Sequence, residues 1–521
     1  MKRREFLALT AVAACGPSKP PAAPPAAKIE DVLGRALDAA KRAGATYAVA
    51  RVVRRRDQTV STREDHVVDV RDDARYGIGV RVLLVVPSES GATQAWGFAA
   101  SANVDGPSAA RTAERAVELA RANAGPRKRP IILAPVARYT DRWATPVAVD
   151  PFAITIAEKA ELLREIWAEA RLVKGAKYMD AHTRVIGEDK TFASSEGSLI
   201  TQRITRVEAR YEVTAIDETK NDSSTRASEL APMQAGWEHV SKSSLKQSAR
   251  KIAEDAVEKM RAPSVVAAKR DLVLAPSNLW LVIHESIGHS TELDRVLGYE
   301  ANFAGTSFAT PDQIGKLEYG KDNVSFYADK TTPGGLATCA YDDDGEKTQK
   351  WRLVDKGKLA AFQTTRDQDS WIGEKRSRGC SYAEDWRSIP FQRMPNVSLE
   401  PGDKDVSLDD IIAATDDGVL VSGDGSWSID HQRYNFQFGG QMFHAIKGGK
   451  IAGALRDVAY QSNTIEFWHS CDMLGGARHF TLHGSLVDGK GEPAQSNPVS
   501  HGCAPARFRN VNVINTKYEK T

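Results

Sequence analysis

An unbroken apolar stretch, LWLVI at 279–283, runs directly into the polar hexapeptide His-Glu-Ser-Ile-Gly-His at 284–289. A helix that is apolar on every side is a buried helix, so the polar residues at its end lie inside a domain or at a cleft. Two imidazole nitrogens beside a carboxylate are the smallest set of groups that can hold a metal ion and accept a proton from its water. The sequence therefore predicts a buried polar site at the end of this helix.

The spacing of the two histidines sets a geometric condition on that site. His284 and His289 are five residues apart, which is about 140° around an ideal helix, whereas histidines four apart differ by about 40°. One extra residue in the turn, a π-bulge, would bring both rings to one face, and Gly288 has the backbone freedom to accept it. We predict such a turn, on a helix that Ser277 caps. The alternative is a buried helix whose histidines are only hydrogen-bonded.

The surrounding residues carry a family resemblance. The segment HESIGHSTELDRVLGYEANFAGTSF at 284–308 closely resembles the active-site segment of the TldD/PmbA family of metallopeptidases. Further matching segments follow in the same order: RSIPFQRMPN at 387–396, GSWSID at 425–430, RYNFQFGGQ at 433–441 and PVSHG at 498–502. In this family the TldD type carries His-Glu-x-x-x-His and hydrolyses peptides, whereas the PmbA type lacks the motif. The resemblance, which runs from about residue 30 to the C-terminus, implies the TldD type.

The third metal ligand is where the chain departs from the family pattern, which places a cysteine directly before a Gly-Lys pair. Here Asp488 precedes Gly489-Lys490. An aspartate oxygen is a zinc ligand, and two histidines with one carboxylate leave a fourth position open. The carboxylate makes the ligand set harder and more tolerant of other divalent ions. Cys503 is the alternative third ligand, and Asp488 is alternatively a turn residue of an Asp-Gly hairpin.

Roles for the two nearby glutamates follow from this chemistry. A bound Zn²⁺ lowers the pKa of its water and polarises a substrate carbonyl, and Glu285 is the expected general base. Glu292, three residues after His289, is expected to orient that imidazole from outside the ligand set. The other interpretation of Glu292 is a solvated helix carboxylate that pairs with Arg295.

The N-terminus predicts export. Arg3-Arg4 followed by Phe6-Leu7 resembles a twin-arginine signal, and the apolar stretch that follows is too short to span a bilayer. Residues 1–15 are therefore interpreted as a lipoprotein signal with Cys15 as the lipidated residue, and the proline- and alanine-rich residues 16–28 as a tether. This predicts a periplasmic protein, on the outer membrane, that contacts the membrane only through its lipid anchor. The alternative is a disordered cytosolic tail.

Composition limits the remaining possibilities. After the signal and tether, about 490 residues remain, enough for two or three domains with their own cores. The net charge is +2 with 26% charged residues, so no nucleic-acid partner is indicated. Apart from Cys15, four cysteines remain without a Cys-x-x-Cys pair, which argues against redox catalysis and leaves any disulfide pairing open.

The periodicity of the sequence predicts an α+β fold, with an N-terminal two-layer α/β region followed by a β-rich C-terminal domain that carries the metal-site helix. Predicted helices at 29–43 and 108–124 flank strands in a first subdomain, 29–125, where 66–70 and 77–86 are predicted as separate strands. A central α+β subdomain is predicted over 130–262, and the metallopeptidase domain over 269–521.

Taken with the resemblance, these features predict a zinc-dependent peptidase that hydrolyses small or unfolded peptides. The resemblance also implies a dimer around an enclosed space, either a homodimer or a heterodimer with a PmbA-like subunit. Two alternatives stay open: a non-catalytic exported scaffold or partner subunit with a degenerate metal site, and an amidase that acts on cell-wall peptides.

Overall fold

The computed structural model describes residues 26–88, 91–125 and 129–517. The predicted export signal at 1–15, with its lipidation site Cys15, and the tether up to residue 25 lie outside these described residues. The structure has the predicted α+β fold class, with mixed helices and long antiparallel strands followed by a C-terminal region rich in short strands.

The N-terminal half is built on one seven-stranded sheet with the strand order β3-β2-β1-β5-β6-β4, and β7 pairs with β6. Its elements in chain order are as follows: α1 (Ala26–Arg42), β1 (Tyr47–Arg63), β2 (His66–Ser88), β3 (Gly91–Ser101), α2 (Gly106–Ala122), β4 (Thr140–Ala144), α3 (Ile156–Ala170), β5 (Ala176–Ser194), β6 (Leu199–Asp217), β7 (Asp222–Ala227), α4 (Glu238–Ser241) and α5 (Ala249–Arg261). The two N-terminal subdomains share this sheet, because β1 pairs with β2 on one side and with β5 on the other.

One difference from the prediction concerns β2, which is a single strand rather than the two predicted at 66–70 and 77–86. The polar residues between them pair with β1 without interruption, for example Arg75 opposite Arg55. Backbone pairing of an extended hairpin does not require apolar side chains, so the loss of hydrophobic alternation at 71–76 does not end the strand.

Alternation along β1 gives the sheet two faces with different partners. Ala48, Ala50 and Val52 pack under the helices of the first subdomain in one apolar cluster. On the opposite face, Arg51 and Arg55 are buried against the C-terminal half of the chain. There Nη1 of Arg55 lies 3.0 Å from Oε1 of Glu188 on the neighbouring strand β5, within the sheet. Two other buried ion pairs, Lys190–Asp343 and Arg81–Asp344, join the sheet to the C-terminal domain.

The C-terminal domain contains a ring of five strands, because the path β15-β8-β24-β18-β16 is closed by pairing of β15 with β16. Its elements in chain order are β8 (Ala268–Leu274), α6 (Pro276–Ile283), α7 (Leu293–Val296), β9 (Phe326–Asp329), β10 (Lys350–Asp355), β11 (Lys358–Leu359), β12 (Ser381–Tyr382), β13 (Phe391–Gln392), β14 (Asn396–Leu399), α8 (Leu408–Ala413), β15 (Asp417–Ile429), β16 (Asn435–Lys447), β17 (Lys450–Leu455), β18 (Val458–Asn463), α9 (Thr464–Ser470), β19 (Cys471–Leu474), β20 (Thr481–Ser485), β21 (Gly489–Lys490), β22 (Gln495–Ser496), β23 (Val499–Cys503) and β24 (Ala506–Asn515).

Helix α6 packs against this ring and is fixed by buried polar side chains at its start. Asn278 Nδ2 donates to the carbonyl oxygens of Gly423 and Gly439 at 2.8 and 2.9 Å, and Asn278 Oδ1 accepts the hydroxyl of Tyr460 at 2.8 Å. Ser277 is not the cap predicted from the sequence. Its hydroxyl accepts the backbone N–H of Gly423 at 3.0 Å and thereby ties the helix to β15.

None of the helices within the described ranges is long and apolar enough to cross a membrane. Over the same ranges Cys339, Cys380, Cys471 and Cys503 are all free thiols.

Candidate metal centre

The predicted π-helical turn is present. Helix α6 ends at Ile283, residues His284–Gly288 form a π-helix, and His289–Thr291 form one 3₁₀ turn. The backbone N–H of His289 bonds to the carbonyl of His284, five residues back. As a result, the imidazole rings of His284 and His289 lie on one side of the helix with their centroids 4.6 Å apart.

Buried contacts on every side hold this turn in shape. The hydroxyl of Ser286 donates to Val282 O at 2.6 Å and accepts from Nε1 of Trp468 at 3.0 Å. Nε2 of Gln363 donates to Gly288 O at 2.6 Å. A Cβ at Gly288 would lie 2.5 Å from Sδ of Met394, so a larger residue would push this side chain away from the turn.

A chain of hydrogen bonds from a backbone carbonyl fixes the tautomer of His284. Nδ1 of His501, on β23, lies 2.9 Å from Val397 O, and because a carbonyl can only accept, this nitrogen carries the proton. Nε2 of neutral His501 is then an acceptor, and it accepts a hydrogen bond from the N–H at Nδ1 of His284 at 2.8 Å. The remaining nitrogen, Nε2 of His284, keeps its lone pair free for a metal.

Glu292 fixes the tautomer of His289 in the same way. Its Oε2 lies 2.9 Å from Nδ1 of His289, closer than Nη2 of Arg295 at 3.4 Å. Nδ1 therefore carries the proton and donates a hydrogen bond to the carboxylate. Glu292 is itself fully buried and accepts from Nε of Arg295 at 2.9 Å and from Nζ of Lys490 at 3.1 Å. Burial alone would raise the pKa of Glu292, but Lys490, His289 and Arg295 hold it well below its ordinary value.

Asp488 completes a cluster of three possible ligands. Its Oδ1 lies 3.8 Å from Nε2 of His284 and 3.7 Å from Nε2 of His289, and one ligand atom from each of the three residues lies within 4.8 Å of the others. Ligands about 2.0–2.2 Å from a tetrahedral zinc ion are roughly 3.3–3.6 Å apart, so the two distances to Asp488 exceed the range for a shared ion by only a few tenths of an ångström. Arg393 holds the carboxylate from behind, with Nη2 3.3 Å from Oδ2.

The protonation states suit a cation at this position. Burial, reinforced by the Arg433 charge, lowers the pKa of His284 to about 3, and the same causes lower the pKa of His289 well below its ordinary value. Both rings are therefore neutral near pH 7 and can act as ligands. Burial raises the pKa of Asp488 while Arg393 opposes this, and a cation among the three atoms would favour the ionised carboxylate.

Glu285 points into the same site. Its carboxylate is buried, and Oε2 forms an ion pair with Nη1 of Arg433, from the loop between β15 and β16. Burial raises the pKa of Glu285, against the opposing charge of Arg433. This arrangement combines a proton acceptor, two neutral imidazoles and a carboxylate in one buried position, which is the set that metal-assisted hydrolysis needs.

The positions of Cys503 and Asp488 differ from those that the two alternatives require, in which Cys503 is the third ligand or Asp488 is only a turn residue. Cys503 lies apart from the three ligand atoms, with its Sγ 3.8 Å from Pro276 O, and burial raises its thiol pKa. Asp488 is not in a tight Asp-Gly turn. It precedes β21 and exchanges backbone hydrogen bonds with Asn497. The turn of the β21–β22 hairpin lies further along the chain, at residues 491–494.

Four residues of the site received no role from the sequence: Arg393, Arg433, Lys490 and His501. All four lie in segments that carry the family resemblance or directly follow Asp488. The signal was thus present in the segments RMPN, RYN, Gly-Lys and SHG, but the contact that each residue makes depends on the closed fold.

The His–His–Asp cluster beside Glu285 is a set of donors typical of metallopeptidases. Three consecutive regions match known domains: residues 48–120 match the PmbA/TldA metallopeptidase domain 1, residues 149–262 the central domain and residues 267–515 the C-terminal domain. The chain belongs to the PmbA/TldD family of metallopeptidases.

Individual relatives agree with this assignment. A metalloprotease of Methanothermobacter thermautotrophicus is 25% identical over 470 residues, which cover 90% of this chain and 96% of the relative. A zinc metalloprotease TldD homolog of Saccharolobus solfataricus is 22% identical over 263 residues, 49% of this chain and 54% of that protein. The crystal structure of TldE from Thermococcus kodakarensis has the same fold, with a TM-score of 0.69 at 16% identity over 92% of this chain and 99% of that one.

Proposed function

We propose that this chain is a zinc-dependent peptidase that hydrolyses small or unfolded peptides, with Glu285 as the general base. The observation that carries the proposal is the cluster of His284, His289 and Asp488, in which hydrogen bonds to His501 and Glu292 leave both Nε2 lone pairs free. The name of the Saccharolobus relative supports zinc as the ion.

A divalent ion held by these three residues supplies Lewis acidity and lowers the pKa of a water towards about 7. Glu285 takes a proton from the water as the water oxygen bonds to the carbonyl carbon and the C=O electron pair moves onto oxygen. Glu285 then passes this proton to the amide nitrogen as the C–N bond breaks, which yields a carboxylic acid and an amine. Raising the pKa of Glu285 by burial makes it a better proton acceptor.

The test uses the purified full chain with a library of short peptides, digested with and without a chelator, together with metal analysis. Glu285→Gln should keep the metal and abolish cleavage, whereas the control Glu114→Gln, on the exposed side of α2, should cleave like the unaltered protein. Peptide cleavage that survives Glu285→Gln would contradict this mechanism. Metal retention without any cleavage by the unaltered protein would favour a scaffold, and cleavage of cell-wall peptides alone would favour an amidase.

Export and assembly are further parts of the proposal. The twin-arginine-like start and Cys15 support a lipid-anchored periplasmic protein, and the resemblance supports a dimer that encloses its active sites. Labelled fatty acid should enter the unaltered chain but not Cys15→Ala, with Cys339→Ala as the matched control. Equal incorporation into the two variants would contradict the lipid anchor.

A further inference from the structure

We infer that Arg433 is a further catalytic residue, which pairs with Glu285 and, when a peptide binds, also donates a hydrogen bond to the carbonyl oxygen of the scissile amide. This inference rests on the proposed function and adds to it the group that stabilises the negative charge on the substrate. Its basis is the backbone, the hydrogen-bonding capacity and the charge environment of Arg433.

The backbone of Arg433 adopts a conformation that is rare for a residue with a side chain. Its φ is 64°, in the left-handed region, and such conformations persist where the surrounding structure over-determines them. Asp430 accepts the N–H of Tyr434 at 2.8 Å through its side chain and that of Arg433 at 3.0 Å through its backbone carbonyl. The hydroxyl of Thr464 donates to Arg433 O at 2.8 Å. These hydrogen bonds fix the backbone of the loop with the Arg433 side chain directed at Glu285.

The guanidinium group reaches the site with unused donors. Nη1 pairs with Oε2 of Glu285, and Nη2 makes a long contact of 3.4 Å to Ala304 O. Nε is buried and has no hydrogen-bond partner among the described residues. Because a guanidinium has five N–H donors, Arg433 can donate a hydrogen bond to a carbonyl oxygen while it keeps its contacts to Glu285 and Ala304.

The net charge around the cluster would favour an anion once a metal is bound. Four carboxylates are joined to four cationic side chains by the ion pairs of the site: Glu285, Glu292, Asp294 and Asp488 with Arg295, Arg393, Arg433 and Lys490. Their formal charges cancel, so a divalent ion adds two positive charges in a buried volume. A negative charge that develops on a substrate oxygen is favoured there.

Glu285 can act while Arg433 is beside it. Oε2 of Glu285 is the oxygen paired with Arg433, and Oε1 accepts no hydrogen bond from the residues that the structure describes. Oε1 is therefore available for the proton of the attacking water, and the electron pair displaced from the C=O bond comes to rest on an oxygen that faces the guanidinium. When the C–N bond breaks, that electron pair re-forms the carbonyl and the proton leaves with the amine.

The competing interpretation is that Arg433 serves only to neutralise Glu285 in the folded protein. The two interpretations differ in the pH dependence of kcat. Loss of a residue that only neutralises Glu285 moves the acid limb of the pH profile to higher pH, so the rate recovers there, whereas loss of a group that binds the oxygen in the transition state lowers kcat at every pH with little change in KM.

The experiment compares Arg433→Lys and Arg433→Ala with the unaltered full chain, loaded with Zn²⁺ and assayed on one peptide that it cleaves. We expect kcat to fall by about 100- to 1,000-fold in Arg433→Ala at every pH, with KM within about 3-fold and the zinc content unchanged. Added guanidinium should restore part of the rate to Arg433→Ala and none to Arg433→Lys, whose ammonium fills the space. Arg352→Ala, which removes an exposed ion pair with Glu400, is the control.

An unchanged kcat in Arg433→Ala, a change in KM alone, or the absence of rescue by guanidinium would each overturn the inference. If Arg433→Ala does not fold, Arg433→Lys decides the matter, because an undiminished kcat in this variant also overturns it. Failure of the proposed function is distinguishable, since the unaltered protein would then show no chelator-sensitive cleavage.

Discussion

Nε2 of His501 accepts the Nδ1 proton of His284 across 2.8 Å, and the carbonyl of Val397, 2.9 Å from the other nitrogen of His501, determines that direction. The orientation of one metal-ligand candidate is therefore set by the backbone of β14, two contacts away. His501 also stacks on Trp280 of α6, with ring centroids 6.0 Å apart, so its ring plane is fixed by packing. The helix, β14 and β23 thus act together on one imidazole.

The first prediction concerns this hydrogen-bond relay, which runs from His284 through His501 to the carbonyl of Val397. His501→Phe keeps the stacking on Trp280 but removes the acceptor, so His284 loses its fixed tautomer, and zinc affinity should fall about 10- to 100-fold. Competition with a chromophoric chelator measures this change. His469→Gln, on α9, is the control and should retain the affinity of the unaltered protein. An unchanged affinity in His501→Phe would show that His284 does not depend on the relay.

The second prediction concerns the third ligand. Asp488→Ala should lose zinc on dialysis while Cys503→Ser keeps one ion per chain, because Sγ of Cys503 lies beside Pro276 O and not among the ligand atoms. Asp488→Cys should keep zinc and lose affinity for Mn²⁺, since thiolate is the softer ligand. Metal analysis of the three variants provides the measurement. Zinc loss from Cys503→Ser with retention by Asp488→Ala would reverse the assignment.

The third prediction is a pH dependence of the metal-free protein. His284 has its pKa lowered from 6.5 to about 3 in the folded protein, mainly by burial, so below pH 6.5 the unfolded chain binds a proton that the folded chain does not. The free energy of unfolding should therefore fall as the pH drops from about 6.5 towards about 3, and should be unaffected by this group above that range. His284 alone should account for about 2 kcal/mol at pH 5.

Denaturant unfolding in the presence of chelator at pH 7.5 and pH 5 tests this expectation. In His284→Gln the difference between the two pH values should shrink by that amount, whereas the exposed-site variant His66→Gln should behave like the unaltered protein. An equal difference in the unaltered protein and His284→Gln would contradict the prediction.

The fourth prediction concerns Lys490, which is fully buried with its Nζ 3.1 Å from Glu292 Oε1 and 2.8 Å from Asp294 Oδ1. Lys490→Met would leave Asp294 buried without its cation and Glu292 with Arg295 alone, which costs about 3–5 kcal/mol of stability. The thermal unfolding midpoint should therefore fall, and the metal affinity should fall with it, because Glu292 orients His289. Lys358→Met, at an exposed ion pair, is the control. A midpoint equal to that of the control would contradict the prediction.

The local part of the site could be predicted from the sequence because it depends on helix geometry alone. A five-residue spacing between His284 and His289 requires a π-turn if both rings are to face one point, and Gly288 permits it. The same reasoning could not predict the role of Ser277. Its hydroxyl accepts a hydrogen bond from the backbone N–H of Gly423, 146 residues away, rather than from its own helix. Local propensity favours a cap, and the tertiary contact decides otherwise.

The roles of Arg433 and His501 were beyond prediction for the same reason. Neither residue has a special spacing from its neighbours, and each acquires its role from a residue far away in the chain: Arg433 from Glu285, 148 residues away, and His501 from His284, 217 residues away. Strand ends likewise depend on tertiary pairing: β2 continues through charged residues because its pairing with β1 is made by backbone groups. The fold class, by contrast, depends on patterns summed over many residues, and the prediction of α+β is confirmed.

His284 and His501 are separated by 217 residues, and Asp488 belongs to the same late stretch of the chain. During synthesis, the ribosome must therefore reach residue 501 before this contact can form. Unfinished chains, and chains clipped near the C-terminus, would lack the carboxylate and the imidazole that orient the rest. Metal binding by His284 and His289 with all of their partners therefore has to wait until this late stretch of the chain has folded against helix α6.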